Sequence, residues 1–233
     1  MPFRPEPPRW TGCPEGSTTS RRTRIKICGL TREADVDAAV AAGADAIGLV
    51  LYEPSPRFIG LDRAVELARR LPPFVTPVVL FVNATDAQVD AAASALPQAL
   101  LQFHGDETPQ ACRRAGRPYL RAARVSAEFD LLDFAGRFAD ARGLLLDADV
   151  DGYGGGGKVF DWSLIQCAAP LPVVLSGGLH AGNVSDGIRR LRPWAVDVSS
   201  GVESAKGIKD AEAMRRFCDA VREADTGRVA PVA

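Results

Sequence analysis

Two apolar runs in this 233-residue chain end in side chains that can trade protons: RIKIC closes on Cys28 and GLLLD closes on Asp147. A thiolate and a carboxylic acid facing one ligand from opposite sides form an acid–base pair, which is what moving a proton within a substrate requires. Two further apolar runs pass directly into glycine and serine, SGG at 176–178 and VDVSSG at 196–201. Glycine lets the backbone approach a phosphate closely, and a helix starting just beyond adds partial positive charge. Gly177, Gly178, Ser199, Ser200 and Gly201 are therefore expected to cradle a phosphate. Lys26, Arg57, Asn83, His104, Ser176 and Asp197 stand at or just after other run ends and complete the polar set.

Each residue also has a plainer reading. A cysteine ending an apolar strand is more often a small buried hydrophobe than a reactive thiol, and a carboxylate at such an end commonly caps a turn. Gly177-Gly178 would serve simply to turn the chain, and Arg57 would be a solvated loop arginine. Lys26 neutralises a nearby carboxylate or holds Cys28 as a thiolate, or only completes a structural ion pair in a barrel floor. What favours chemistry is coincidence. The two glycine turns fall at matching positions on neighbouring runs, and Cys28 and Asp147 bracket one pocket if the runs close into a barrel.

The elements that must position these residues follow from periodicity. Short β-branched or leucine-rich runs at 24–28, 45–51, 75–81, 99–103, 119–123, 143–147, 172–176 and 194–198 read as eight strands, with Pro77 a local misfit in the third. Most are continuous apolar runs, as expected of parallel strands covered on both faces. Between them, segments 33–42, 61–71, 86–96 and 208–222 carry apolar residues at i, i+3 and i+4 and read as helices. Gly43 ends the first of these, Asp86 caps the third, and 127–138 reads as a helix despite its phenylalanines and Gly136. Eight βα units favour closure, and the first strand lacks the glycine fingerprint of a doubly wound dinucleotide-binding sheet. The expected fold is an α/β single-domain (β/α)₈ TIM barrel over residues 23–225, with a proline-rich disordered N-terminal extension at 1–22 and a C-terminal tail at 226–233.

Composition narrows the ligand. With 28 basic and 29 acidic side chains there is no global field to recruit nucleic acid or an anionic membrane, so an anion must be held locally. A small-molecule substrate is the expected partner. Five cysteines (Cys13, Cys28, Cys112, Cys167, Cys218) without a C-x-x-C pair, and only two histidines, argue against a metal site and for a reducing cytoplasm. No apolar run is long enough to span a bilayer.

The strings KICGLTREADVDAAVAAGADAIGLVLYEPSPRFI, VLFVNATDAQV, LLQFHGDET, GGGGKVFDW, SGGLHAGNV and VDVSSGVESAKGIKD occur in this order between about Arg24 and Val221. In order and spacing they resemble the phosphoribosylanthranilate isomerases of tryptophan biosynthesis. That resemblance implies an Amadori rearrangement of N-(5-phosphoribosyl)anthranilate without cofactor or metal, by a monomer or homodimer. It implies Asp147 as general acid, Cys28 as general base, and Arg57 against the anthranilate carboxylate. Lys26, His104 and Asp197 are implied as supporting pocket residues, with phosphate on Gly178 and Ser200-Gly201. The chain departs from the family pattern at Gly156, Ala148 and Phe103. None removes a catalytic group, and the run 154–157 puts loop closure and substrate affinity at issue. In the related histidine-pathway and dual-specificity isomerases an aspartate ends the first strand, where Cys28 stands here. Indole-glycerol-phosphate synthase needs a lysine–glutamate pair that these strand ends do not supply. A barrel reduced to binding would not retain Cys28, Asp147, Arg57 and both glycine turns together.

Overall fold

The computed structural model describes residues 22–148, 161–165 and 169–227. Gly156, the glycine run 154–157, and most of the segments 1–22 and 226–233 lie outside the described residues. Eight parallel strands close in chain order: β1 (Arg24–Cys28), β2 (Ala46–Val50), β3 (Thr76–Phe81), β4 (Leu100–Phe103), β5 (Tyr119–Val125), β6 (Gly143–Ala148), β7 (Val173–Leu175) and β8 (Ala195–Val198). Each lies within two residues of its expected bounds. β8 returns to β1 with Val196 opposite Ile25 and Asp197 opposite Lys26, so the sheet is a barrel and not an open doubly wound one.

Pro77 is accommodated by register. Thr76 N donates to Asp45 O at 2.9 Å, so strand alternation aims the N–H that Pro77 lacks toward β4. There the pairing begins one residue later, at Val78 opposite Leu100.

The outer layer consists of α1 (Glu33–Ala42), α2 (Leu61–Ala68), α3 (Asp86–Ala95), α4 (Pro109–Arg114), α5 (Leu131–Arg137), α6 (Val184–Leu191) and α7 (Ala211–Thr226). A 3₁₀ turn at Trp162–Leu164 lies between β6 and β7. Gly43 ends α1 in the left-handed region, φ 87°, as its position suggests. The cap of α3 is Thr85 and not Asp86, which is the first helical residue. Thr85 Oγ1 accepts from Gln88 N at 3.3 Å and Thr85 N donates to Gln88 Oε1 at 2.9 Å, a reciprocal pairing that a lone aspartate cannot match. The helix expected at 127–138 begins later, where Asp130 Oδ1 accepts from Leu132 N and Asp133 N at 2.8 and 3.0 Å. Its phenylalanines pack inward, Phe134 to Phe138 at 4.9 Å, with the buried Arg121 guanidinium 4.9 Å over the Phe138 ring.

The last expected helix, 208–222, is also corrected. Ile208–Lys209 form β10, which pairs antiparallel with β9 (Glu203–Ala205) after a 3₁₀ turn at Ser200–Val202. Asp210 then caps α7 by accepting from Ala213 N at 2.7 Å, and α7 runs on to Thr226. Its buried stripe Met214, Phe217, Cys218, Val221 and Ala224 faces the barrel. At the point where the ring closes, Thr23 N and Oγ1 donate to the two oxygens of Asp225 at 2.6 and 2.8 Å. Arg22 forms an ion pair with Asp45.

Strand alternation sorts the side chains. Ile25, Ile27, Leu101, Phe103, Leu144 and Leu146 point outward into the core shared with the helices, each contributing about 1.5–3 kcal/mol of burial. Lys26, Cys28, Gln102, His104, Asp147 and Asp197 point inward, and all are buried. Phe103 therefore has no place at the site. It stacks on Phe81 and meets Tyr119 edge-on, both at 5.8 Å.

Candidate active site

A cavity of about 330 Å³ opens at the C-terminal ends of the strands, within the usual range for a small-molecule site. Cys28, Arg57, Gln102, His104, Asp147, Ser176, Asp197 and Ser199 line it, with Val50, Tyr52, Leu80 and Val82 as an apolar wall. Cys28 ends β1 and Asp147 lies near the end of β6, three strands away around the ring, so the two face one another across the opening.

The thiol of Cys28 sits against Val50 and Leu80. Burial pushes its pKa up from the ordinary value, and the nearby Lys26 ammonium draws it back down. Burial alone would discharge Lys26, but Asp197 and Cys28 outweigh it and raise its pKa instead. Lys26 Nζ donates to Asp197 Oδ1 at 2.8 Å, so a fixed cation lies beside the thiol.

Asp147 is held at both oxygens. Oδ1 accepts from Ala148 N at 2.9 Å, and His104 Nε2 lies 3.2 Å from Oδ2. Gln102 Nε2 stands 3.1 Å from His104 Nδ1. Amide, imidazole and carboxylate thus form one buried chain that holds the His104 ring against Asp147. Gly177, φ 83°, backs this arrangement from β7. A Cβ there would stand 2.9 Å from Asp147 Oδ1 and 2.7 Å from Ala148 N. Gly177 thus shapes the seat of the carboxylate as well as turning the chain.

The two glycine–serine turns touch. A Cβ on Gly201 would collide with the Leu179 carbonyl, so only glycine lets the β8 turn press against the β7 turn. Gly178 O accepts from Asn183 Nδ2 at 3.0 Å, fastening the β7 turn to the start of α6. Ser176 and Ser199 line the cavity, and Gly177-Gly178 and Ser200-Gly201 follow them directly. The Ser199 hydroxyl is already engaged, donating to Cys28 O at 3.0 Å and accepting from Lys209 Nζ at 3.3 Å.

Arg57 is no solvated loop residue. Nε and Nη2 donate to the two oxygens of Glu203 at 2.7 and 2.8 Å, and Lys209 Nζ donates to Glu203 Oε1 at 2.8 Å. Burial works to raise the Glu203 pKa, yet the two cations hold it below the ordinary carboxylate value. Asn83 does not line the cavity. Its N–H donates to Glu107 Oε1 at 2.8 Å and its Oδ1 accepts from Asp106 N at 2.7 Å. Glu107 also accepts from Gly105 N at 2.9 Å, so the HGDE string is a brace that fixes the loop carrying His104.

Gln102, Glu203 and Lys209 were not singled out from the sequence. Period-two alternation gives Gln102 the same face as His104, which is a usable signal. Glu203 and Lys209 flank a turn at Gly207, φ 77°, and only Lys209 fell within the helix expected at 208–222. Among the described residues no group of three His, Cys, Asp or Glu is arranged to hold a metal ion, and no helix is long and apolar enough to cross a membrane.

Residues 25–220 match the family model described as N-(5'phosphoribosyl)anthranilate (PRA) isomerase. The N-(5'-phosphoribosyl)anthranilate isomerase of Methylibium petroleiphilum is 69% identical over 204 residues, covering 88% of this chain and 96% of its own. The crystal structure of phosphoribosyl anthranilate isomerase from Thermotoga maritima superposes with TM-score 0.80 at 39% identity, over 86% of this chain and 99% of that one. A phosphoribosyl anthranilate isomerase solved with reduced 1-(o-carboxyphenylamino)-1-deoxyribulose 5-phosphate gives TM-score 0.76 at 36% identity, over 86% and 99% of the two chains.

Proposed function

Because the chain belongs to the N-(5'-phosphoribosyl)anthranilate isomerase family and catalyses that isomerisation in tryptophan biosynthesis, we propose that Asp147 and Cys28 are its general acid and general base. The observation that carries this assignment is that the two line one cavity from nearly opposite strands. Asp147 protonates the furanose ring oxygen as the C1'–O bond breaks, and the amine nitrogen supplies the electron pair that forms a Schiff base. Cys28 then removes the proton from C2', and the electrons of that bond pass toward the nitrogen to give an enolamine. Protonation at C1' and loss of the hydroxyl proton yield the ketone, 1-(2-carboxyphenylamino)-1-deoxyribulose 5-phosphate. The Schiff base already acidifies C2', so the protein's task is mainly to place two groups and tune them.

His104 orients Asp147, and the Lys26–Asp197 pair keeps a cation beside the Cys28 thiol, which favours the thiolate. Arg57 has an edge left over from Glu203 for the substrate carboxylate, where two parallel N–H donors fit. Backbone N–H groups at Gly178 and Ser200-Gly201 take the phosphate. No residue of a second copy is needed to build this site, so a monomer or a homodimer serves equally. Cys28, Cys112 and Cys218 are free, which fits a reducing cytoplasm.

Cys28→Ala is expected to lower kcat on the order of 10²–10⁴-fold with little change in KM, since it deletes a proton transfer and not ground-state binding. Asp147→Asn keeps the shape, cannot give up a proton, and should be equally poor. Either variant retaining more than roughly a tenth of wild-type kcat, with circular dichroism unchanged, would remove that residue from its role.

A further inference from the structure

We propose that Glu203 is a positioning residue that sets substrate specificity: by gripping one edge of Arg57 it turns the other toward the cavity, and so selects an aryl amine bearing an ortho-carboxylate. The proposal rests on the reading of Arg57 as the carboxylate anchor.

A guanidinium has two edges that grip a carboxylate in parallel, one through Nε and one through Nη1. Glu203 takes the Nε edge, at 2.7 and 2.8 Å. Nη1 meets no acceptor among the described residues, and Arg57 lines the cavity. Both side chains are nearly sealed from solvent, at 10% and 6% exposure, so a rearrangement of the fork would strand a charge. Lys209 is sealed completely, at 0%, and pairs with the same carboxylate. Two cations therefore share one anion, leaving a buried positive charge that a single substrate carboxylate would balance. The remaining donors of Lys209 hold Ser199 O and Oγ at 3.1 and 3.3 Å, and Ser199 Oγ donates to Cys28 O at 3.0 Å. The carboxylate end of the site and the base are thus fixed in one hydrogen-bonded frame.

The test compares calorimetric Kd values for the reduced product analogue 1-(o-carboxyphenylamino)-1-deoxyribulose 5-phosphate and for its counterpart without the carboxylate. Wild type, Glu203→Gln and Arg57→Ala are measured, with kcat recorded beside them. Wild type should favour the carboxylate ligand. Glu203→Gln should weaken that ligand about tenfold or more while leaving the other within about threefold. Arg57→Ala should abolish the preference. Equal weakening of both ligands in Glu203→Gln would mean a merely structural role and overturn the proposal. A wild-type preference surviving in Arg57→Ala would instead overturn the anchor reading, and the proposal with it. If circular dichroism shows Glu203→Gln unfolded, Glu203→Asp, which keeps the charge but falls short of the fork, reads the same ratio; an unchanged preference there also overturns the proposal.

Discussion

The two ends of the barrel interior are built from alternate residues of the same strands, yet they are chemically opposite. At the mouth the inward positions are Cys28, His104, Asp147, Ser176 and Asp197, all buried. At the floor they are Ala122, Leu145, Val174 and Ala195, closed by Trp194 with the Arg24 guanidinium 3.7 Å over its ring. Lys26 belongs to both: it lines a second cavity of about 260 Å³ at the floor, beside Val174, Trp194 and Ala195, while its Nζ holds Asp197 at the mouth. Burying polar groups costs stability unless each finds a partner, so the mouth spends its hydrogen bonds on holding a reactive arrangement while the floor accumulates apolar packing. Side chains at the floor should govern stability, and those at the mouth should govern rate.

The comparison is tested hardest at Leu145, which is fully buried in the floor. Leu145→Ala should cost about 2–5 kcal/mol in denaturant unfolding and leave kcat near wild type; a large kcat loss at unchanged stability would erase the distinction. Next, Gly177→Ala forces a Cβ against Asp147 Oδ1 and Ala148 N from a backbone with φ 83°. Its kcat should fall on the order of 10²-fold, because displacing the proposed acid, Asp147, by a fraction of an ångström costs rate steeply. Activity within threefold of wild type would show that Gly177 only turns the chain. Lys26→Met should act through the base. Burial already raises the Cys28 pKa, Lys26 opposes it, and Asp197 adds to it once uncompensated. In the proposed mechanism the base is the thiolate, so the rising limb of kcat/KM against pH should move to higher pH. A limb that stays or moves down would disconnect Lys26 from Cys28. The smallest effect is expected at Arg24→Ala, about 0.5–1 kcal/mol of stability from its contact with Trp194, read as a slight fall in Tm with kcat unchanged.

How much was visible beforehand follows the same division. The strands were legible because parallel strands buried on both faces are continuous apolar runs, and Cys28 and Asp147 because each ends one. The glycine turns came from type and spacing, and the role of Arg57 from the family resemblance of its SPR motif. What stayed hidden depends on partners distant in the chain. Glu203 and Lys209 acquire meaning only against Arg57, 146 positions away from Glu203, and helical periodicity runs smoothly through Ile208-Lys209 until Asp210 is seen to cap α7. Asp86 looked like the cap of α3 because aspartate is a common cap, whereas Thr85 wins by exchanging hydrogen bonds with Gln88. Phe103 looked like a change beside His104, and strand alternation puts it on the other face.

The bond between Thr23 and Asp225 joins positions 202 apart. On a ribosome adding about 5–20 residues per second, β1 is finished roughly 10–40 s before that partner exists. β8, its hydrogen-bonding neighbour, comes only shortly earlier, since Lys26 and Asp197 are 171 positions apart. Throughout that wait one edge of β1 lacks its native partner and offers an open ladder to any other strand. Closure of the ring therefore has to wait for β8 and α7. The nascent chain is most vulnerable to wrong pairing along the very strand that carries Cys28.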